Sequence, residues 1–551
     1  MPNGAQALLR TLLDAGVTTC FTNPGTSEMH FVAALDTAPE MRAVLTLFEG
    51  VATGAADGYA RMADKPAATL LHLGSGLGNG LANLHNASKG RVPIVNIVGD
   101  HATSHVKYDA PLQSDIETVA RNVSRWVRTS KSTQELSRDA VDAVAAACGS
   151  PAQVATLILP ADVSWGEGAS PAAPHPLCVP SVAPPEVIDA IAKALSGPGT
   201  AAILLGGKAL REPALSRASR IAQATGATLY AETFPTRMER GAGVPAVERI
   251  AYFAEMASVQ LAGLDHLILV DAKAPVSFFA YPGKKSYLVP DGCEVHELAS
   301  LSQNASESLK ALQTALGAAD IKPVIQTPAK LKRPAGTLTA DKVCQAIAAA
   351  LPEGAIISDE SQTSGATLAA HTAHAPRHDL LTLTGGAIGQ GLPVATGAAT
   401  ACPGRPVFAL VGDGSAMYTI QSLWTMAREQ LDVTTVIFNN RSYAILNIEL
   451  ERVGAQSIGP AAKSQLDLSV PGLDFAAIGN GMGVPSVRVE SCEQLNAALD
   501  RAATSPGPHL IEAVVPSVYA GWKLKALPHV MQALGKLPQP MAKALKRRIS
   551  P

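Results

Sequence analysis

A carboxylate and an amide stand directly after two neighbouring apolar segments in the last third of the chain. Asp413 lies in Gly412–Ser415 (GDGS), after the run VFALV, and Asn440 comes 27 positions later (413 to 440), after the run TTVIF. Because one helix and one strand return a chain to the same edge of a parallel sheet, the two side chains are expected to face each other. A carboxylate oxygen, an amide oxygen and a main-chain carbonyl oxygen are donors that suit Mg²⁺, which commonly shares its coordination shell with a diphosphate. The spacing predicts a magnesium-diphosphate site with Asp413, Asn440 and Ser442 as metal ligands.

Hydroxyl groups are available at the same predicted edge. Ser415 and the first amide groups of a helix expected to begin near Ala416 could donate to phosphate oxygens. Ser361, Thr363 and Ser364 follow a third apolar run, AIIS, and supply further hydroxyls. An ordinary turn or helix cap would explain either motif alone, but the spacing between Asp413 and Asn440 favours a phosphate site.

The GDGS motif followed by Asn439–Asn440 resembles the thiamine-diphosphate motif. From Met1 to about Pro516 the chain is similar in layout to the thiamine-diphosphate-dependent decarboxylase and acetolactate synthase superfamily. The resemblance implies thiamine diphosphate and Mg²⁺ as cofactors. It also implies a pyrimidine-binding domain, a middle domain and a diphosphate-binding domain in this order, the first and third alike in fold. The cofactor-binding residues that it implies are Glu49, Ser361, Thr363, Ser364, Gly386, Ile388, Gly412, Asp413, Gly414, Ser415, Asn440 and Tyr443.

Three of these residues have roles of their own in the superfamily. Phe48–Val51 (FEGV) is similar to its glutamate helix, so Glu49 would hydrogen-bond the aminopyrimidine ring and favour its imino tautomer. Ile388 matches the apolar residue that holds the cofactor bent, and the Gly386 carbonyl would accept from the amino group. Because the two cofactor-binding domains of the superfamily meet across a subunit interface, Glu49 of one chain would serve the cofactor of another. A homodimer at least, and more specifically a homotetramer, is expected.

His72 and Thr26 favour the decarboxylase branch of the superfamily. His72, in Leu70–Gly74 (LLHLG), stands where benzoylformate decarboxylase has an active-site histidine, although a buried structural histidine is the alternative. Thr26, in NPGT, replaces a serine that contacts substrate in that enzyme. The resemblance thus implies a catalytic set of Glu49, His72 and Thr26. The expected reaction is non-oxidative decarboxylation of a 2-oxo acid, followed by release of an aldehyde or by carbon–carbon ligation to one.

Two features depart from the benzoylformate decarboxylase pattern. Ala274–Tyr281 (APVSFFAY) has no histidine where that enzyme has its second one, so Tyr281 or another residue must move the proton. Glu449 stands where an aromatic pocket residue is expected. An acetolactate synthase-like carboligase is therefore the alternative, although no GMHG-like segment indicates FAD, which is not expected. A nucleotide-binding protein without catalysis would need the motifs to coincide by chance.

Two proline-rich segments, 165–186 and 322–336, separate the elements that must position these residues. Each block between them alternates apolar runs with helical stretches, which predicts an α/β fold of three doubly wound parallel-sheet domains. Expected boundaries are 1–170, 186–320 and 337–520, followed by a tail at 521–551. Gly74–Ala82 (GSGLGNGLA) and Gly385–Pro393 (GGAIGQGLP) are locally similar, which suggests that the first and third blocks are duplicates.

Composition narrows the class of protein. Of 551 residues, 47% are hydrophobic and 16% charged, and the formal charge is −2, which gives no overall electrostatic reason to bind nucleic acid or an anionic membrane. The seven cysteines are scattered without a C-x-x-C pair, which indicates neither a disulfide framework nor a zinc site. No signal peptide or membrane span is evident, and a cytoplasmic location is expected. The basic tail, which includes Lys523, Lys525 and Lys546–Arg548, is interpreted as a solvated helix, and a phosphate or coenzyme patch is the alternative.

Overall fold

The computed structural model describes residues 1–176, 178–281, 284–453, 459–517, 530, 533–534 and 537–549. These residues form three mostly parallel sheets of six, five and seven strands, with helices packed against them. The α/β fold class predicted from the alternation of apolar runs and helices is confirmed. The domain boundaries stay a prediction. Among the described residues no helix is long and apolar enough to cross a membrane.

The first sheet has the strand order β2-β1-β3-β4-β6-β5, and every pairing in it is parallel. Its strands are β1 (Thr19–Asn23), β2 (Arg42–Leu45), β3 (Ala67–Leu71), β4 (Ile94–Asp100), β5 (Trp126–Thr129) and β6 (Val154–Pro160). The helices of this part are α1 (Gly4–Asp14), α2 (Met29–Ala34), α3 (Glu49–Ala63), α4 (Leu73–Lys89), α5 (Ile116–Ala120), α6 (Leu136–Ala147) and α7 (Ala161–Trp165). Apolar side chains such as Leu70 and Leu71 are fully buried on both faces, which explains the near-continuous apolar runs.

The middle sheet has the order β10-β8-β7-β11-β12. Its strands are β7 (Ala201–Leu205), β8 (Thr228–Ala231), β10 (Glu248–Arg249), β11 (His266–Val270) and β12 (Glu294–Ala299). The helices here are α8 (Pro185–Ser196), α9 (Ala214–Thr225), α10 (Ala254–Leu261) and α11 (Ala305–Ala315). Strand β9 (Met238–Arg240) lies in the same stretch of sequence but pairs antiparallel with a strand of the third sheet. Strand β9 therefore adds one antiparallel edge to a sheet whose other pairings are parallel, which makes the sheets mostly parallel, as predicted.

The third sheet has the order β17-β18-β16-β15-β13-β14-β9. Its own strands are β13 (Ala355–Glu360), β14 (His378–Thr382), β15 (Val407–Gly412), β16 (Val433–Asn439), β17 (Ser486–Val489) and β18 (His509–Val514). The helices are α12 (Ala340–Ala350), α13 (Leu368–His371), α14 (Gly391–Ala401), α15 (Asp413–Ala416), α16 (Ser422–Arg428), α17 (Ala444–Arg452), α18 (Pro460–Ser464), α19 (Phe475–Gly481) and α20 (Cys492–Thr504). Helix α15 begins at Asp413 and is a single turn, so the helix expected to begin near Ala416 starts earlier and is shorter.

Helices α3 and α14 pack directly on each other and join the first and third parts of the chain. Both contain the sequence VATGAA, at Val51–Ala56 and at Val394–Ala399. A Cβ atom on Gly58 would collide with the carbonyl oxygen of Val394, and one on Gly397 would collide with that of Ala55. The two backbones can therefore approach this closely only through glycine. The matching sequences extend the local similarity between the first and third parts.

The C-terminal helix (Gln539–Ile549) packs against the middle part of the chain. Lys546 is only 3% exposed, and its Nζ lies 2.6 Å from Glu248 Oε1. The interpretation of this tail as a solvated helix is wrong at Lys546, because its side chain is buried and forms an ion pair with Glu248 of the middle sheet. The prediction for the earlier tail lysines Lys523 and Lys525 lies outside the described residues.

Candidate active site

A cavity of about 860 Å³ opens at the carboxyl ends of β13 and β15, between the third sheet and the middle part. Its walls gather side chains that are far apart in sequence. The lining includes Ser361, Thr363, Ser364, Gly386, Ile388, Gly412, Asp413, Gly414, Ser415, Asn440, Ser442 and Tyr443. Those are all the residues that the sequence assigned to cofactor or metal binding, apart from Glu49. Position at the carboxyl end of parallel strands is where open α/β sheets bind ligands.

Asp413 is buried beside the loop that follows β16. Its Oδ1 accepts from the Gly414 amide at 2.9 Å, and its Oδ2 accepts from the Arg441 amide at 2.6 Å. Burial raises the pKa of this carboxyl. In the described parts of the chain no lysine, arginine or histidine forms an ion pair with it. A buried carboxylate that is costly to charge and has no cationic partner suits a divalent cation, so the donor set fits Mg²⁺.

Asn440 and Ser442 complete this corner of the cavity. The Asn440 Oδ1 accepts from the Ser442 amide at 2.9 Å, and the Asn440 Nδ2 donates to Ser364 Oγ at 3.4 Å. The intervening Arg441 has φ of 56°, a left-handed conformation that is uncommon for a residue with a side chain. Such strain is typical of functional loops. The turn places the Arg441 amide on the Asp413 carboxylate and the Asn440 side chain on Ser364.

The loop that carries Ile388 is held by two glycines and a buried acid. Gly386 and Gly389 have φ values of 80° and 96°, and a Cβ on either would collide, with the Phe278 ring and with Tyr418 respectively. Glu360, 2% exposed, accepts from the amides of Gly389 and Gly391, both at 2.6 Å. Glu360 thus fixes the direction in which Ile388 enters the cavity. Sequence reasoning missed this role.

Replacing Glu360 with glutamine should change how stability depends on pH. Burial raises the pKa of Glu360 from about 4.5 to about 7. A group whose pKa is higher in the folded than in the unfolded state stabilises the fold, and this contribution is complete at pH values below the unfolded-state pKa. The contribution is lost as pH rises to the folded-state pKa near 7. Between pH 4.5 and 7 the wild type should therefore lose about 3 kcal/mol relative to Glu360→Gln. Denaturant unfolding of both proteins at several pH values measures this, and parallel pH profiles would contradict it.

Glu49 lies outside the cavity lining of its own chain. It is the first residue of α3 and is 9% exposed. Its Oε2 accepts from Asn79 Nδ2 at 3.0 Å, and its other oxygen lies against Gly76. Nearby, the Asn83 Nδ2 bridges the carbonyl oxygens of Gly50 and Gly389, at 2.8 and 3.2 Å. The backbone next to Glu49 is therefore joined to the Ile388 loop, while the carboxylate itself faces α4.

His72 and Thr26 lie on the same part of the chain as Glu49, and neither lines the cavity. The His72 Nδ1 is 2.8 Å from Glu28 Oε2, which also accepts from the Gly25 amide at 2.7 Å. Burial raises the pKa of Glu28. The His72 side chain is 23% exposed, so it is not the fully buried structural histidine considered as an alternative. Glu28 was missed, although Glu at the third position after Gly25 is a capping-box spacing.

Aromatic side chains form the wall next to Gly386. Phe278 contacts Phe234, Tyr252 and Phe279, with ring centroids 5.1 to 5.8 Å apart. Beside them, Glu449 accepts from the Tyr281 hydroxyl at 2.5 Å and from Arg452 Nη1 at 2.9 Å. Burial and the bond to Glu449 raise the pKa of Tyr281 to about 12. Tyr281 does not line the cavity, and a phenol with this pKa is a weak acid at neutral pH, which disfavours it as the replacement for the missing histidine.

Two comparisons of sequence agree on the class of protein. Residues 2–122 match the family model for the thiamine pyrophosphate enzyme N-terminal TPP binding domain, and residues 361–513 match that for the C-terminal TPP binding domain. The chain is 58% identical over 517 residues to the "Putative acetolactate synthase large subunit IlvX" of Mycobacterium tuberculosis, covering 94% of this chain and 99% of that one. It is 27% identical to benzoylformate decarboxylase of Pseudomonas aeruginosa, covering 91% and 97%.

Solved structures agree on the fold. The Rhodococcus jostii thiamine diphosphate-dependent 4-hydroxybenzoylformate decarboxylase superposes with a TM-score of 0.82 at 23% identity, over 94% of this chain and 99% of that one. Benzoylformate decarboxylase from Polynucleobacter necessarius superposes with a TM-score of 0.79, also at 23% identity, over 94% and 99%. With the sequence matches at both ends, the chain belongs to the thiamine pyrophosphate-dependent enzymes of the decarboxylase and acetolactate synthase family.

Proposed function

We propose that the protein is a thiamine diphosphate- and Mg²⁺-dependent lyase that decarboxylates a 2-oxo acid without oxidation, with carbon–carbon ligation as a second activity. The observation that carries the proposal is the cavity in which the carboxylate of Asp413, the loop of Asn440 and the Ile388 loop meet. When bound, thiamine diphosphate supplies an electron sink that accepts the pair released as CO₂ leaves the acid. The chain's own residues must bind, orient and protonate.

At the diphosphate end, Asp413, Asn440 and the main-chain carbonyl of Ser442 would hold Mg²⁺. The raised pKa of Asp413 supports this role, because a divalent cation offsets the cost of the buried charge. Four hydroxyl groups that line the same cavity would donate hydrogen bonds to the phosphate oxygens: those of Ser361, Thr363, Ser364 and Ser415. Tyr443 borders the same end.

At the pyrimidine end, Ile388 would hold the cofactor bent and Gly386 would accept from its amino group. Glu49 would hydrogen-bond the ring nitrogen, in a setting where burial excludes most water from the carboxylate. Because Glu49 faces α4 and does not line its own chain's cavity, we propose that it serves the cavity of a second chain. The active protein is then a homodimer at least, for which a homotetramer is the expected assembly.

His72 would move the proton that completes aldehyde release. It is partly exposed and directly follows β3, and its Nδ1 lies 2.8 Å from the buried Glu28. That contact fixes the ring so that Nε2 is the atom left to face a substrate. Thr26, exposed beside it, would contact the substrate.

An acetolactate synthase-like carboligase is the second candidate. The name of the relative that is 58% identical favours it. In that case the chain would join a second carbonyl compound, an aldehyde or another 2-oxo acid, instead of releasing an aldehyde. A panel of 2-oxo acids, with and without added aldehydes, separates the two functions. CO₂ with free aldehyde supports the lyase, and 2-hydroxyketones or 2-hydroxy-3-oxo acids as the main products support the carboligase.

Thiamine diphosphate with Mg²⁺ should stabilise the cofactor-free protein. At a hundredfold excess over Kd, ligand binding adds about 2.7 kcal/mol to the free energy of unfolding, which is about 2 °C in Tm for a chain of this length. We would measure thermal unfolding with thiamine diphosphate and Mg²⁺ together. Thiamine diphosphate with EDTA in place of Mg²⁺ is the control. An unchanged Tm with both cofactors present would remove the cofactor assignment.

A further inference from the structure

Two histidines and a glutamate meet on neighbouring strands of the middle sheet. His266 is the first residue of β11, and Glu294 and His296 lie on β12, the edge strand of that sheet. The parallel register pairs His266 with Glu294 and Ile268 with His296. Side chains two residues apart on a strand share a face, so Glu294 and His296 both point to the side on which His266 lies. None of the three lines the active-site cavity.

Their ligand atoms form a nearly regular triangle. His266 Nδ1 is 3.2 Å from His296 Nε2, and Glu294 Oε2 is 3.7 and 3.8 Å from these two nitrogens. The point equidistant from the three atoms lies about 2.1 Å from each, which is the length of zinc–nitrogen and zinc–oxygen bonds in proteins. A hydrogen bond explains only the contact between His266 and His296, because the distances from both histidines to the Glu294 carboxylate exceed hydrogen-bond length.

We propose that His266, Glu294 and His296 form a binding site for a divalent transition metal of the zinc type, separate from the magnesium site at Asp413. Two imidazole nitrogens and one carboxylate oxygen are donors that such metals prefer, whereas Mg²⁺ prefers an all-oxygen shell. Their side chains are 20%, 67% and 14% exposed in that order, so a metal can enter and water can complete its coordination. The cysteine-free ligand set explains why cysteine spacing gave no sign of the site.

The site would fasten the edge strand of the middle sheet. Within the described residues β12 has a neighbouring strand on one side only, and two of its residues would be joined through the metal to the first residue of β11. Metal binding to the folded state alone adds its free energy to stability. Zinc should therefore raise Tm without being required for turnover.

The test uses tag-free holoenzyme already loaded with thiamine diphosphate and Mg²⁺, so that the oxygen-rich site is filled. Titration calorimetry with Zn²⁺ should give one ion per chain with Kd of about 10 μM or below, a binding free energy typical of a three-ligand site. His266→Ala and His296→Ala should each weaken binding at least about 100-fold, as expected when one of three ligands is lost. The matched control is His371→Ala, which removes a histidine bonded to a single carboxylate, that of Asp341.

Two results would overturn the site. Wild-type protein that binds no Zn²⁺ up to about 1 mM has no such site, since that limit corresponds to only about 4 kcal/mol. Zinc binding that survives in both histidine variants belongs elsewhere. If either alanine variant fails to fold, Glu294→Gln serves instead, because this side chain is 67% exposed and tolerates substitution. It should weaken binding about tenfold or more, and unchanged affinity in this variant counts against the site.

Discussion

Glu49→Gln should abolish turnover while leaving the cofactor bound. Glutamine keeps the size of the side chain and can still accept from Asn79, but it cannot supply the charged hydrogen bond that favours the reactive tautomer of the aminopyrimidine. Loss of such an acid–base partner lowers kcat by about 10²–10⁴-fold. The rise in Tm with thiamine diphosphate and Mg²⁺ should persist, because Asp413 and Asn440 are untouched. Steady-state kinetics on the best 2-oxo acid, together with thermal unfolding, provide the two readouts.

Glu186→Gln is the matched control for this variant. Glu186 is also a glutamate in the first turn of a helix, α8, but it is exposed and lies away from the cavity. A general effect of removing a negative charge from a helix start would appear in both variants, whereas a catalytic role predicts loss in Glu49→Gln alone. Turnover within a few fold of wild type in Glu49→Gln would remove Glu49 from the proposed mechanism.

The strand ends of the third sheet were predictable because sheet topology alone determines them. Asp413 and the Asn440 loop are separated by one helix and one strand, and a right-handed crossover returns the chain to the same edge whatever the side chains do. Apolar runs such as VFALV and TTVIF marked the strands, since strands buried on both faces read as continuous apolar sequence. The hydroxyls after AIIS followed from the same argument.

Contacts between distant segments could not be predicted in this way. The sequence pattern around Tyr281 does not indicate that its hydroxyl donates a hydrogen bond to Glu449. The two residues lie in different parts of the chain and meet only after the sheets pack. The same holds for Glu360, whose bonds to the Ile388 loop depend on how β13 stands beside α14. Strand β9 is three residues long, too short for any alternation to register, and only its pairing with β14 shows where it belongs.

Asp413→Asn should remove metal and cofactor binding without unfolding the protein. The neutral amide keeps one of the two bonds to backbone amides and loses the other, which costs about 1–3 kcal/mol and is partly offset because a buried charge with a raised pKa is removed. Losing the metal's carboxylate ligand should lower kcat/KM about 10³-fold or more, since a bound cation supplies several kcal/mol. The Tm rise with thiamine diphosphate and Mg²⁺ should disappear. Asp432→Asn, just before β16 at the opposite edge of the sheet, should behave as wild type.

Mixing the two inactive variants tests the assembly of the site. If Glu49 serves a second chain, a mixed dimer of Glu49→Gln and Asp413→Asn has one site with both defects and one with neither. Random association of equal amounts makes half of the dimers mixed, so the mixture should recover about a quarter of wild-type activity. If Glu49 instead serves the cavity of its own chain, every site carries a defect and the mixture stays as inactive as each variant. The mixed dimer can also be isolated by co-expressing the two variants with different tags. If Glu49 serves a second chain, this dimer has one intact site of two and should show about half of the wild-type activity.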